Sequence, residues 1–200
     1  MTQPIANSRK AAHAVDPMFT ERWSPRSFTG EEISVADLMT MLEAGRWSPS
    51  SYNSQPWRFI WARRGTPHFE TFLKLLVPGN QAWAKDASAI VFVASSKTMS
   101  VPGKDEPVPS RTHSFDAGAA WMAVSLQAHR MGWHTHGMIG VDYEGAAKTL
   151  KLPEGYHLDM VFTIGRRDEP AKLPEGYRAR EAPNDRKPLA ETAFEGTFPG

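Results

Sequence analysis

Residues 88–94, SAIVFVA, form an unbroken apolar run bounded by polar positions. A strand with one face in water alternates apolar and polar residues; an unbroken run belongs to a central strand buried on both faces. That requirement dictates cover on each side of a sheet, and the flanking sequence offers helices to supply it. Ser34 and Asp37 form a capping-box-like start, followed by Leu38, Met41, Leu42 and Gly45 at the spacing of one buried helical stripe. Phe69, Phe72, Leu73 and Leu76 mark a second amphipathic helix, which Pro78-Gly79 is expected to stop. Residues 115–131 predict a long helix rich in small residues, ended by Gly132 and placed mid-fold, where small side chains permit close packing. Residues 143–150 read as a short helix, and residues 58–62 and 158–165 as further strands.

The chain of 200 residues suits one domain. Its 40% hydrophobic and 22% charged residues sit near the globular average, and a net charge of +1 gives no broad field for nucleic acid. The absence of cysteine excludes disulfides, thiol nucleophiles and Cys-ligated metals. No run approaches the ~18 apolar residues a membrane span needs, and residues 1–17 lack the apolar core of a signal peptide, so the expectation is a soluble, cytoplasmic protein. Residues 1–16 read as a loose arm or short helix. Residues 100–110, SVPGKDEPVPS, read as an exposed loop. Residues 166–200 are polar and Pro-rich, with Leu189, Phe194 and Phe198 as spaced anchors, which suits a segment lying across another surface, with a partner subunit the natural candidate. The hexapeptide KLPEGY occurs at 151–156 and 172–177; its flanks differ, so it reads as one local turn solution used twice.

Four stretches could carry chemistry. Arg22-Trp23-Ser24-Pro25-Arg26-Ser27-Phe28 offers two guanidinium forks and a hydroxyl, a set that suits phosphate oxygens and equally a solvated surface turn. Residues 48–57, SPSSYNSQPW, hold more amides and hydroxyls than a turn needs, stiffened by Pro49 and Pro56, as a loop lining a heteroaromatic ring would. In His134-Thr135-His136-Gly137-Met138-Ile139-Gly140 no Asp, Glu or Cys completes a metal ligand set, while the glycines allow backbone to approach a ligand. Arg186-Lys187 is a basic pair near the end, either solvated or part of a phosphate site with Arg22. GxGxxG, GxxxxGK[ST] and GxSxG signals are absent.

Together these motifs resemble the flavin-dependent nitroreductase family. Residues 22–28 are similar to its R-x-S-x-R-x-F opening, residues 47–57 to its W-x-P-S-x-x-N-x-Q-P-W segment, residues 116–140 to its long helix and Gly-rich turn, and residues 158–165 to its late strand. The resemblance implies an α+β fold with a mixed central sheet flanked by helices. It also implies a homodimer with FMN at the interface, and a C-terminal extension, 166–200, that wraps the partner. By position, Arg22, Ser24 and Arg26 look like flavin contacts, with Trp23 contributing backbone. Arg22 and Arg186 would hold the phosphate, with Arg26 nearer the ring. Pro49, Ser50, Ser51 and Asn53 of the partner would line the ring, with Asn80 at its edge. Ile139 and Gly140 look like the turn whose backbone N–H faces flavin N5; many relatives carry an acidic residue where Ile139 stands. The implied activity is NAD(P)H oxidation coupled, in a ping-pong sequence of hydride transfers, to reduction of nitroaromatics or quinones, with NADH or NADPH as co-substrate. No protein nucleophile or acid–base triad is expected, because the flavin carries the chemistry. Dehalogenation or enone reduction on the same scaffold, flavin storage, and a cofactor-free interaction protein are the alternatives. If Arg26 supplies positive charge beside the flavin, Arg26→Ala lowers the flavin reduction potential; a redox titration of flavin-replete variant that returns the wild-type potential removes that role.

Overall fold

The computed structural model describes residues 7–199. In chain order the elements are α1 (Met18–Glu21), α2 (Val35–Arg46), β1 (Trp57–Arg63), α3 (Pro67–Lys74), α4 (Pro78–Ala84), β2 (Ala89–Ser96), β3 (Thr98–Met99), β4 (Val108–Pro109), α5 (His113–Arg130), β5 (His134–Met138), α6 (Tyr143–Thr149), β6 (Tyr156–Gly165) and α7 (Glu175–Arg178). The apolar run is β2, and its alternation divides the core. Ile90, Phe92 and Ala94 pack on one face with Phe69, Phe72 and Trp83 of α3 and α4. Ala89, Val91 and Val93 pack on the other with Leu38 and Met41 of α2 and Ala117, Ala120 and Val124 of α5. Cover on both faces, demanded by the run, is what the fold supplies.

The sheet order is β1-β2-β6-β5. All three pairings are antiparallel, so the expected mixed sheet is corrected within this chain. The reason is topological. The α3–α4 pair leaves β1 at Arg63 and returns to β2 at Ala89, which lie opposite each other, so the chain re-enters at the end it left. The single helix α5 does link two parallel strands, β2 and β5, but β6 inserts between them and pairs antiparallel with both. Where β2 meets β6 the register slips between Val93 and Ala94, leaving Asp159 as the extra residue of a bulge.

Local chemistry explains most boundaries. The Ser34 side chain accepts from Asp37 N at 2.9 Å, capping α2. Gly132, at φ 75°, ends α5, and Trp133 N returns to Ala128 O at 2.8 Å. Both copies of KLPEGY make the same turn, with Tyr156 N donating to Pro153 O and Tyr177 N to Pro174 O, each at 2.9 Å. One of these boundaries is corrected. Pro78-Gly79 does not stop a helix; α3 has ended at Lys74, and Pro78 occupies the first turn of α4, where its missing N–H is not needed. Residues 134–138, given no element from the sequence, form an edge strand that ends just before the turn expected at Ile139 and Gly140. Residues 100–110 are an exposed loop, but a two-residue ladder, Thr98 with Pro109 and Met99 with Val108, closes its base. Residues 7–16 contain no helix, and the first six residues of the expected arm lie outside the described residues. The C-terminal segment divides in two. Leu173 and Glu181 are buried against the body, whereas Leu189, Phe194 and Phe198 stay 51%, 42% and 85% exposed and find no core in their own chain.

The tightest helix contact tests this architecture. A Cβ on Gly45 of α2 would lie 2.7 Å from Val124 Cγ2 and 3.1 Å from Ala120 O. Helix propensity alone favours Gly45→Ala by about 1 kcal/mol, but overpacking costs about 1–3 kcal/mol. Packing wins here because part of the obstruction is backbone, so urea unfolding of Gly45→Ala is expected to show a lower midpoint at an unchanged m-value.

Candidate functional site

Residues 22–28 run extended along the body, and burial alternates along them. Trp23, Pro25 and Ser27 point inward, and Arg22, Ser24 and Arg26 share the half-buried outer face, as the period-two geometry of extended chain requires. The stretch is fixed at its C-terminal end by Thr29 N to Arg166 O and Asp168 N to Ser27 O, both 2.9 Å. Its outer face forms one wall of a cavity of about 560 Å³. His136 of β5, the segment 179–184, Arg9 and Arg186 supply the remainder.

Five guanidinium groups border this cavity: Arg9, Arg22, Arg26, Arg180 and Arg186. Arg26 faces Glu181 at 3.8 Å, and both Arg26 and Arg180 lie over the Tyr177 ring. Arg9, Arg22 and Arg186 form no ion pair among the described residues. Arg9 donates to Arg22 O at 2.8 Å and Asn184 O at 2.7 Å. Arg186 also donates to Asn184 Oδ1 at 3.2 Å, and Arg22 reaches Ser24 Oγ at 3.4 Å. Burial, then Arg9 and Arg186, hold the Arg22 pKa below its ordinary value; burial and then Arg186 do the same to Arg9. Like charges gathered at a half-buried wall are stabilised by an anion, and guanidinium forks beside a hydroxyl suit phosphate.

Two histidines stand on β5. His136 Nδ1 lies 3.0 Å from Pro25 O, which can only accept, so Nδ1 carries the hydrogen and Nε2 is left as an acceptor. Its ring packs on Trp83 at 4.6 Å between centroids. Burial, then Arg26, push the His136 pKa down to about 4, with hydrogen bonds that the ring donates to the Pro25 and Ser24 backbone opposing. His134 is also lowered to about 4, by burial first and then by His129, Arg167, Arg166 and Arg22. Both rings are therefore neutral at pH 7 and add no charge to the arginine cluster.

The remaining sequence-predicted residues do not line this cavity. Pro49, Ser50, Ser51 and Asn53 form a separate loop with one tight helical turn, Ser51–Asn53. Tyr52, Asn53 and Gln55 all hold positive φ (51°, 54° and 47°), strain that the loop offsets by hydrogen bonding. Ser50 Oγ accepts from Gln55 N at 3.0 Å, and Asp116 Oδ2, at the start of α5, accepts from Ser51 N at 3.2 Å and Thr112 Oγ1 at 3.0 Å. Asn80 and Gly140 do meet: Asn80 Nδ2 and Val77 N both donate to Gly140 O, at 3.0 and 3.1 Å. A Cβ at Gly140 would lie 2.6 Å from Asn80 Nδ2 and 2.9 Å from Val77 Cγ2, so any side chain there displaces the Asn80 contact. Ile139 is 79% exposed beside it. Arg9, Asn184, Glu181 and Asp116 went unrecognised in the sequence as site residues, and His136 was weighed there only as a metal ligand.

An α+β protein with five arginines around one cavity beside the edge strand of its sheet is thus defined. The family model of the nitroreductases, "Nitroreductase family", matches residues 19–68 and 61–166, and the chain belongs to that family. A crystal structure described as an oxidoreductase containing FMN is similar to it at TM-score 0.93, with 42% identity, covering 99% of this chain and 100% of the other. Among relatives, an uncharacterized 15.4 kDa protein of Mycolicibacterium smegmatis is 32% identical over 150 residues, covering 70% of this chain and 97% of its own. Protein DrgA of Synechocystis is 28% identical over 199 residues, covering 86% and 90%.

The neutral histidines set a pH dependence. Their folded pKa values lie below the ordinary 6.5, so between pH 6.5 and about 4 the unfolded chain binds more protons. Stability from these sites is complete above pH 6.5 and is lost as pH falls toward 4, on the order of 3 kcal/mol for each ring. Urea midpoints measured from pH 7 to pH 4.5 are expected to fall, and His136→Gln to flatten part of that slope; an equal slope in the variant contradicts the assignment.

Proposed function

We propose that the chain is an FMN-dependent oxidoreductase that draws electrons from NADH or NADPH and passes them to electron-poor small molecules such as nitroaromatics or quinones. The observation that carries this reading is the convergence of Arg9, Arg22 and Arg186 on one cavity without ion-pair partners among the described residues. A phosphate monoester relieves their mutual repulsion, and the Ser24 hydroxyl adds a donor, so these residues fit the FMN phosphate. When bound, FMN supplies the hydride chemistry, and the protein supplies orientation and electrostatics.

In this reading Arg22, Arg9 and Arg186 hold the phosphate while Trp23 closes the wall behind it. Arg26 places positive charge toward the ring, where it favours the reduced, anionic state. Neutral His136 offers only an acceptor at Nε2 and leaves that charge undiminished. Pro49, Ser50, Ser51 and Asn53 serve a cavity of the partner subunit in a homodimer, because they do not line their own. Asp116 and the positive-φ turn hold that loop ready. Trp47 and Phe115 flank it at 75% and 80% exposure, and Val35, Met39 and Met122 extend the exposed apolar face along α2 and α5, which supports a subunit interface there. The Asn80–Gly140 contact fixes the turn that presents Ile139 to the ring and its acceptors. No helix is long and apolar enough to cross a membrane among the described residues, and the proposed location is the cytoplasm.

The test is an absorption spectrum between about 300 and 550 nm before and after anaerobic NADH or NADPH, with flavin bands that bleach as the expected result. Protein that shows no flavin band after FMN is supplied overturns the proposal.

A further inference from the structure

Glu181 lies 155 residues from Arg26 in sequence, yet its carboxylate is built into the wall that carries the arginines. The side chain is 1% exposed. Oε1 accepts from Arg26 N at 2.6 Å and from Ser27 N at 2.9 Å. Oε2 accepts no hydrogen bond among the described residues and stands 3.8 Å from Arg26 Nη1. Two successive backbone N–H groups aimed at one anion form a concave donor pair, which is left bare when the anion is removed. A buried carboxylate is costly, and this one is retained where it does two things together. It satisfies the donors of the extended stretch at the point where Arg26 leaves the wall, and it opposes the charge of that guanidinium. On either side of Glu181, Ala179, Arg180, Ala182, Pro183 and Asn184 line the same cavity.

We infer that Glu181 is a positioning residue for the anion site: its carboxylate locks the Arg22–Ser24–Arg26 face in its cavity-facing form and, by the same bonds, docks the C-terminal segment that carries Asn184 and Arg186. The inference rests on the flavin-phosphate reading for its ligand, but the geometry of the lock does not. Removal of the carboxylate frees the wall from the segment, so two sets of phosphate ligands lose their common register. Ring contacts made by other loops are spared.

The experiment compares wild type, Glu181→Ala and Glu181→Gln as purified flavin-free protein, titrated with FMN and with riboflavin, which lacks the phosphate. Hydrogen exchange of the Arg26 and Ser27 amides is followed without flavin. Loss of both bonds in Glu181→Ala is expected to weaken FMN at least about tenfold and riboflavin less than about threefold. The Arg26 and Ser27 amides are expected to exchange faster while β2 amides keep their protection. Glu181→Gln keeps an acceptor oxygen and is expected to recover most of both properties. If Glu181→Ala does not fold, Glu181→Asp, too short to reach both donors, replaces it with an intermediate loss of FMN affinity. Equal weakening of both ligands, no weakening of FMN, or unchanged exchange at Arg26 and Ser27 overturns the assignment. Wild type that binds riboflavin as well as FMN overturns the phosphate reading instead, and the exchange arm still judges Glu181 alone.

Discussion

The insertion of β6 between β2 and β5 holds the rest of this structure in place. β2 is apolar on both faces, so it must lie inside a sheet and under two layers. The single crossover α5 carries the chain one strand too far for β5 to pair with β2. The gap is filled by β6, whose residues from Tyr156 to Gly165 reach both neighbours. That arrangement leaves β5 at the sheet edge, with His136 within hydrogen-bond reach of Pro25. It also delivers the chain, after Gly165, alongside Ser27 and Thr29. The arginine wall is therefore positioned by the last strand to join the sheet.

Electrostatics at that wall are organised by subtraction. Burial keeps His134 and His136 neutral, Glu181 opposes Arg26 and Asp185 partly opposes Arg9, and Arg9, Arg22 and Arg186 are left without an ion pair among the described residues. The carbonyl and amide oxygen of Asn184 gather Arg9 and Arg186 without cancelling their charge. Neutral acceptors can aim a guanidinium and leave its full attraction for an anion, which a carboxylate cannot do.

What the sequence revealed followed the range of the interactions. The α2 cap, the stop of α5 at Gly132 and the double burial of β2 are decided by neighbours a few residues apart, and each was legible. Arg22, Ser24 and Arg26 stood out as two guanidinium forks around a hydroxyl, and Arg186 as half of a basic pair, and all four line one cavity. β5 was missed because HTHGM has neither clean alternation nor an apolar run, as befits a short edge strand. Pro78-Gly79 misled because a proline opens a helix as readily as it ends one. Arg9, Asn184 and Glu181 act across 154 to 175 residues, and no local pattern announces such contacts. The mixed sheet was expected from the family likeness; the antiparallel result depends on where β6 inserts, which no single segment records.

The cavity draws its walls from segments far apart in sequence, with Arg9 on one side and residues 179–186 on the other. Synthesis runs in the same order, so a nascent chain can complete the four described strands of its sheet before the arginine cavity has its second wall. A chain cut between Gly165 and Arg186 would keep the four described strands of the sheet and lack part of the cavity wall.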